Sequence, residues 1–217
     1  MPISDRLFSL TAAAGLLLLG ACVQPLDEAG APPQDGGDEV RRAVLIAGGL
    51  PVAIAPPRGY CIDPATLTET AVLAGECAAL GVVVASRTAP EVLALFSAAA
   101  SADPVAGTGS LRSRISRLET RLQSSRQDSP LAEDDGIARV VETRLRGDTL
   151  YALIEDGSAS AFNGAANRFW RVMSEENGRM ILLTVRALDQ VWPGEQALLE
   201  KAVAFRESVR RANRGAV

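Results

Sequence analysis

The chain has 217 residues, 47% of them hydrophobic, with 22 basic against 26 acidic side chains, one lysine (Lys201) and no histidine. That length suits one globular domain plus some unstructured chain, and a net charge of −4 argues against nucleic-acid binding. Without histidine, Ser-His-Asp and Cys-His catalysis and His-liganded zinc are excluded, and without a Gly-Lys pair so is a Walker-type phosphate loop.

Residues 1–21 read as a targeting segment. Arg6 and the free amine give a weakly positive start, and Leu7 to Gly20 is apolar apart from Ser9 and Thr11. At 1.5 Å per residue this stretch makes about 21 Å of helix, short of a hydrocarbon core of about 30 Å. A secretory apolar region is therefore expected, and not a membrane span.

The segment closes on Leu19-Gly20-Ala21-Cys22, which resembles the lipobox of bacterial lipoproteins, where a Leu, two small residues and a Cys end the signal peptide. The resemblance implies that Cys22 is diacylated on sulfur (palmitate-type chains), becomes the mature amino terminus and is acylated there as well. Two or more chains give stable anchoring. The next residue is Val23, not the Asp that retains many lipoproteins in the inner membrane, so the resemblance implies an outer-membrane lipoprotein facing the periplasm. Residues 22–42 then read as an acidic tether rich in Pro and Gly, with Asp27, Glu28, Asp35, Asp38 and Glu39 ahead of the first apolar run. Such chain buries too little apolar surface to offset its ordering entropy.

Residues 43–213 read as a single α+β domain, an antiparallel sheet with helices packed on one face. Its first block is β-like: Val44-Leu45-Ile46, Val52-Ala53-Ile54, Val72-Leu73 and Val82-Val83-Val84, punctuated by Gly48-Gly49, Pro56-Pro57 and Asp63-Pro64. Cys61 and Cys77 lie within it, both at apparent strand ends. In an exported chain such a pair is a disulfide candidate; the rivals are a reactive thiol and a metal site, for which no histidine completes a tetrahedron. The segment Gly59-Tyr60-Cys61-Ile62-Asp63-Pro64 with a later Cys is also similar to that of short, uncharacterised exported proteins of high-GC alphaproteobacteria. That resemblance supports the disulfide and carries no activity.

Thr88-Ala89-Pro90-Glu91 reads as a capping box opening a helix to about Ala100, with Val92, Leu95 and Phe96 on one face. A second helix is expected from Leu111 to Ser124. Its Leu111, Ile115, Leu118 and Leu122 fall within about 60° of one another, flanked by Arg112, Arg114, Arg117, Arg121 and Arg126. Next come an acidic run, Glu133-Asp134-Asp135, and two strand pairs. Residues 138–146 and 149–155 meet at Gly147-Asp148, and 168–175 and 180–186 meet at Asn177-Gly178, a strong hairpin signal. A two-residue turn there sets Glu176 opposite Arg179, Val172 opposite Leu183 and Trp170 opposite Val185. The apolar face so formed needs a cover, and the last helix, with Leu198, Ala202, Phe205 and Val209 in line after Pro193, supplies it. This closing pattern of hairpin, Asn-Gly turn, apolar strand and amphipathic helix looks like the end of PsbP-like domains.

Among site candidates, the aliphatic stripe flanked by Arg112, Arg114, Arg117 and Arg121 fits an anionic surface or a partner helix, or else packs on the sheet with its guanidiniums in water. Gly107-Thr108-Gly109-Ser110 is explained by Ser110 as an N-cap. Arg146-Gly147-Asp148 is explained by the needs of a hairpin turn. Carboxylates for hydrolysis could come from Asp63, Glu76, Glu142, Glu155, Asp156 or Glu175, but no spacing pairs any two. No catalytic residue, metal or cofactor is expected. The expected role is a non-enzymatic binding or assembly accessory of the cell envelope, held to the membrane by lipid and contacting an envelope protein; the alternative is a carrier of lipid or a small apolar ligand.

Overall fold

Side chains alternate inward along Ala43–Ala47 (β1), with Ala43, Leu45 and Ala47 buried and Val44 and Ile46 exposed. Gly48 and Gly49, at φ 55° and 82°, turn the chain into Leu50–Ile54 (β2), which pairs antiparallel with β1 and sets Leu45 opposite Val52. At Gly48 the positive φ is reinforced by space: a Cβ there would lie 2.0 Å from the Ala102 carbonyl oxygen. The structure, a computed structural model, describes residues 41–82, 89–104, 110–124, 138–157 and 164–214. The targeting segment, Cys22, the tether up to residue 40, Val83-Val84, Gly107-Thr108-Gly109 and Glu133-Asp134-Asp135 lie outside the described residues.

Seven further strands form one antiparallel sheet. They are Tyr60–Ile62 (β3), Ala71–Glu76 (β4), Ala94–Pro104 (β5), Ala138–Arg146 (β6), Thr149–Asp156 (β7), Ala165–Glu176 (β8) and Arg179–Leu188 (β9). Their order is β3-β4-β5-β9-β8-β7-β6, so the early and late strand groups join where β5 pairs with β9. The β8–β9 register is the one that the Asn-Gly turn dictates, with Glu176 opposite Arg179, Val172 opposite Leu183 and Trp170 opposite Val185. Asn177, at φ 49°, and Gly178, at φ 74°, hold that turn.

The segment expected to be a helix up to Ala100 is strand β5. Its burial has period two, with Ala94, Phe96, Ala98 and Ala100 inward, where the sequence also offers Val92, Leu95 and Phe96 at helical spacing. Short apolar runs carry both periods at once. The tertiary setting decides between them, because β5 sits between β4 and β9 with both of its edges hydrogen-bonded.

Among the described residues two α-helices complete the fold, Leu111–Ser124 (α1) and Glu195–Asn213 (α2). The α+β class holds, but the helices do not share a face of the sheet. Strand β7 reads Leu150-Tyr151-Ala152-Leu153-Ile154, apolar on both sides, and each side needs a cover. Tyr151 and Leu153 join Trp170, Val172, Leu183 and Val185 beneath Leu198, Ala202, Phe205 and Val209 of α2. Leu150, Ala152 and Ile154 join Phe169 and Met173 beneath Ile115 of α1, on the opposite face. The inner face of the β1–β2 hairpin lies in the same core layer as α2.

Asparagine closes the unpaired edge of β2. The Asn213 Nδ2 donates to the Ala53 carbonyl at 2.8 Å, and its Oδ1 accepts from the Ala53 N–H at 2.9 Å. Nearby, Asn177 Nδ2 donates to the Pro51 carbonyl at 2.8 Å. One buried amide at the end of α2 thus takes the part of a missing neighbouring strand.

Candidate functional site

The cysteine pair is a disulfide. Cys61 and Cys77 have Cα atoms 4.9 Å apart and an S–S distance of 2.08 Å. The antiparallel pairing of β3 and β4 puts Cys61 opposite Gly75, and Cys77 follows directly beyond β4. Both sulfurs are buried. The bridge closes a loop of about 15 residues at the sheet edge, which contributes on the order of 3 kcal/mol. Reduction, or the pair Cys61→Ala/Cys77→Ala, is expected to lower unfolding free energy by that amount in denaturant titrations. No change on reduction would mean that the edge is held by its strand pairing alone.

Beside it, Tyr60 is buried against Phe96, which packs edge-on to Phe205 of α2. Its hydroxyl donates to the Val92 carbonyl. Burial, with the nearby Glu76 carboxylate second, pushes the Tyr60 phenol up to about 12. A phenol whose pKa is raised by folding gives stability that is full below its unfolded value of 10.0 and declines as pH rises toward about 12. The melting temperature is therefore expected to fall across that window, with a shallower fall in Tyr60→Phe. An equal slope in the variant would assign alkaline unfolding to another group.

The arginine-flanked helix forms at the predicted residues and starts as expected, with Ser113 N–H donating to Ser110 Oγ at 3.2 Å. Its stripe faces the sheet through buried Ile115 and half-buried Leu118. Arg114 pairs with Glu175 of β8 at 2.9 Å, both side chains half-buried, and Glu119 accepts from the Thr143 hydroxyl of β6 at 2.9 Å. These contacts fasten α1 to the sheet, so Arg114 belongs to the packing of the domain. Arg112, Arg117 and Arg121 are solvent-exposed.

Four of the six carboxylates considered for hydrolytic chemistry have structural partners. Asp63 caps a short 3-10 turn through Ala65 N–H, Glu142 pairs with Arg144, Glu155 with Arg139 and Arg168, and Glu175 with Arg114. The Arg139 hydrogen bond holds the Glu155 carboxyl below its usual range. Arg146-Gly147-Asp148 forms the β6–β7 turn, Gly147 at φ 62°. Among the described residues no cluster of three metal-ligating side chains occurs.

Several buried polar residues are invisible to pattern reading. Arg186 and Arg171 lie over the Phe169 ring at 4.0 and 5.3 Å, on the sheet face opposite that of Trp170. Arg179 ties the β1–β2 turn to β5, its guanidinium donating to the Gly48 and Ala102 carbonyls at 2.7 Å each. Arg206 of α2 pairs with Glu176 and reaches Thr149. The weak signal for these is arginine where strand alternation or helical spacing calls for an inward residue. The sequence matches no protein-family model and no curated protein.

Proposed function

We propose that this chain is a lipid-anchored, periplasm-facing lipoprotein of the outer membrane, whose disulfide-braced α+β domain serves as a non-enzymatic binding or assembly accessory of the cell envelope. The observation that carries the reading is the Cys61–Cys77 bridge, because such bonds persist in oxidising compartments. It accords with the export signal of residues 1–21 and leaves Cys22 as the one thiol available for acylation. A binding role is supported over a carrier by the layer between sheet and α2. Trp170, Phe96 and Phe205 fill it, each no more than 1% exposed, where a carrier needs space that its own side chains leave open. Arg112, Arg117 and Arg121 of α1 are the surface offered to an envelope protein.

Metabolic labelling with an alkyne fatty acid tests the anchor. The wild-type chain takes up label, and Cys22→Ala takes up none. An unlabelled wild-type chain would contradict the reading.

A further inference from the structure

The exposed apolar side chains are unevenly placed. Of the eight large hydrophobic residues exposed among the described residues, Val44, Ile46 and Leu50 lie on the single β1–β2 hairpin. Val44 and Ile46 alternate to its outer face, where Ile46 is half exposed and stands opposite exposed Pro51, while Leu50 sits at the turn. A cluster of this kind, open on a described surface, marks a contact region.

Its rim is basic. Arg41 and Arg42 are exposed immediately before β1, and Arg42 Nη2 donates to the carbonyl of Ala212 near the end of α2 at 3.4 Å. Val209 and Asn213 of α2 face the core, which turns exposed Arg211 to the solvent side of the helix. Exposed Arg214 follows at the helix end. Among the described residues, none of Arg41, Arg42, Arg211 and Arg214 forms an ion pair.

The chain itself leads this surface toward a bilayer. The hairpin is the first element among the described residues, and Arg41 stands 19 positions after Cys22. Nineteen residues reach at most about 65 Å, so acyl chains on Cys22 would hold the hairpin within that distance of the bilayer and raise its effective concentration there. We infer that the outer face of the β1–β2 hairpin, with its rim of Arg41, Arg42 and Arg211, docks on an anionic bilayer. The aliphatic side chains enter the headgroup boundary and the guanidiniums meet lipid phosphates. In its direction of approach the inference rests on the anchoring reading.

The test uses chain from position 22 onward carrying Cys22→Ser, which has no acyl group whether or not the native protein is lipidated. Failure here is thus separate from failure of the fatty-acid labelling. Binding to vesicles of phosphatidylglycerol in phosphatidylcholine is expected at low salt, with little on phosphatidylcholine alone. In Ile46→Trp, brominated lipid quenches fluorescence only when phosphatidylglycerol is present. Each of Arg41→Glu, Arg42→Glu and Arg211→Glu lowers partitioning about fivefold or more, and Ile46→Asp removes the apolar contribution, all with unchanged melting temperature. Equal binding to both vesicle types, indifference to the arginine reversals, or self-association of the chain through the hairpin without vesicle binding would each overturn the inference.

Discussion

Replacing Trp170 by alanine is expected to lower the stability of the domain by about 4–5 kcal/mol, the upper end of the range for large aromatic truncations. Three features of the site set that magnitude. The indole is fully buried between β8 and α2, opposite Val185, so little rearrangement can fill the space that it leaves. Its Nε1 donates to the Glu195 carbonyl at 3.0 Å, tying the sheet to the first turn of α2. The Arg144 guanidinium lies 5.6 Å from its centroid. Trp170→Phe keeps most of the apolar volume and loses the hydrogen bond, which is worth about 1 kcal/mol. Urea titration of both variants checks this ordering. A loss below about 1 kcal/mol in Trp170→Ala would place the core elsewhere.

Arg206→Leu is expected to cost about 3–5 kcal/mol, because it strands the Glu176 carboxylate in a site where both side chains are nearly excluded from water. Their side-chain exposures are 5% and 11%. The pair joins α2 to the end of β8, while the Thr149 hydroxyl adds a longer contact at 3.4 Å. Replacing both partners, Arg206→Met with Glu176→Met, removes the stranded charge and is expected to recover most of the loss. Burial holds the Tyr151 phenol above its ordinary value and the Arg206 charge opposes it, so the double variant should titrate Tyr151 at still higher pH. A double variant as unstable as the single one would mean that the ion pair itself stabilises the fold, and not merely the absence of an unpaired charge.

Legibility in the sequence followed from how local each determinant is. The β8–β9 hairpin could be read to the residue because a two-residue Asn-Gly turn leaves one register, and strand alternation then assigns faces. Helix α2 could be read because Leu198, Ala202, Phe205 and Val209 recur without competition from period two. The disulfide could be read from two cysteines at strand ends in a chain whose first residues resemble an export signal. Strand β5 was misread because Ala94 to Ala100 suits a helix locally, and only its neighbours β4 and β9 make it a strand. The placement of α1 is not legible because Phe169 and Met173 alternate with Arg171 on one face of β8, and that face carries apolar and charged side chains together until Phe169 is seen holding the guanidiniums. Asn213 lies 160 positions from the Ala53 backbone that it satisfies, and no local pattern marks such a contact.

The candidate site shows the same division. Ser110 as a cap and Arg146-Gly147-Asp148 as a turn were legible as local chemistry. That Arg114 is committed to Glu175, while Arg112 stays exposed, depends on which helix face meets the sheet. The apolar outer side of the β1–β2 hairpin needed the three-dimensional layer as well, since Val44 and Ile46 have the same residue type as their buried neighbour Leu45.

The central claim is that the protein is exported and held to its membrane by acyl groups on Cys22. Mass spectrometry of the amino-terminal peptide, from protein purified in detergent out of its own host, tests it most directly. A first residue of Cys22 carrying diacylglycerol on sulfur and an amide-linked acyl chain is the predicted result. An amino terminus at any other position, or Cys22 with an unmodified thiol, would contradict it.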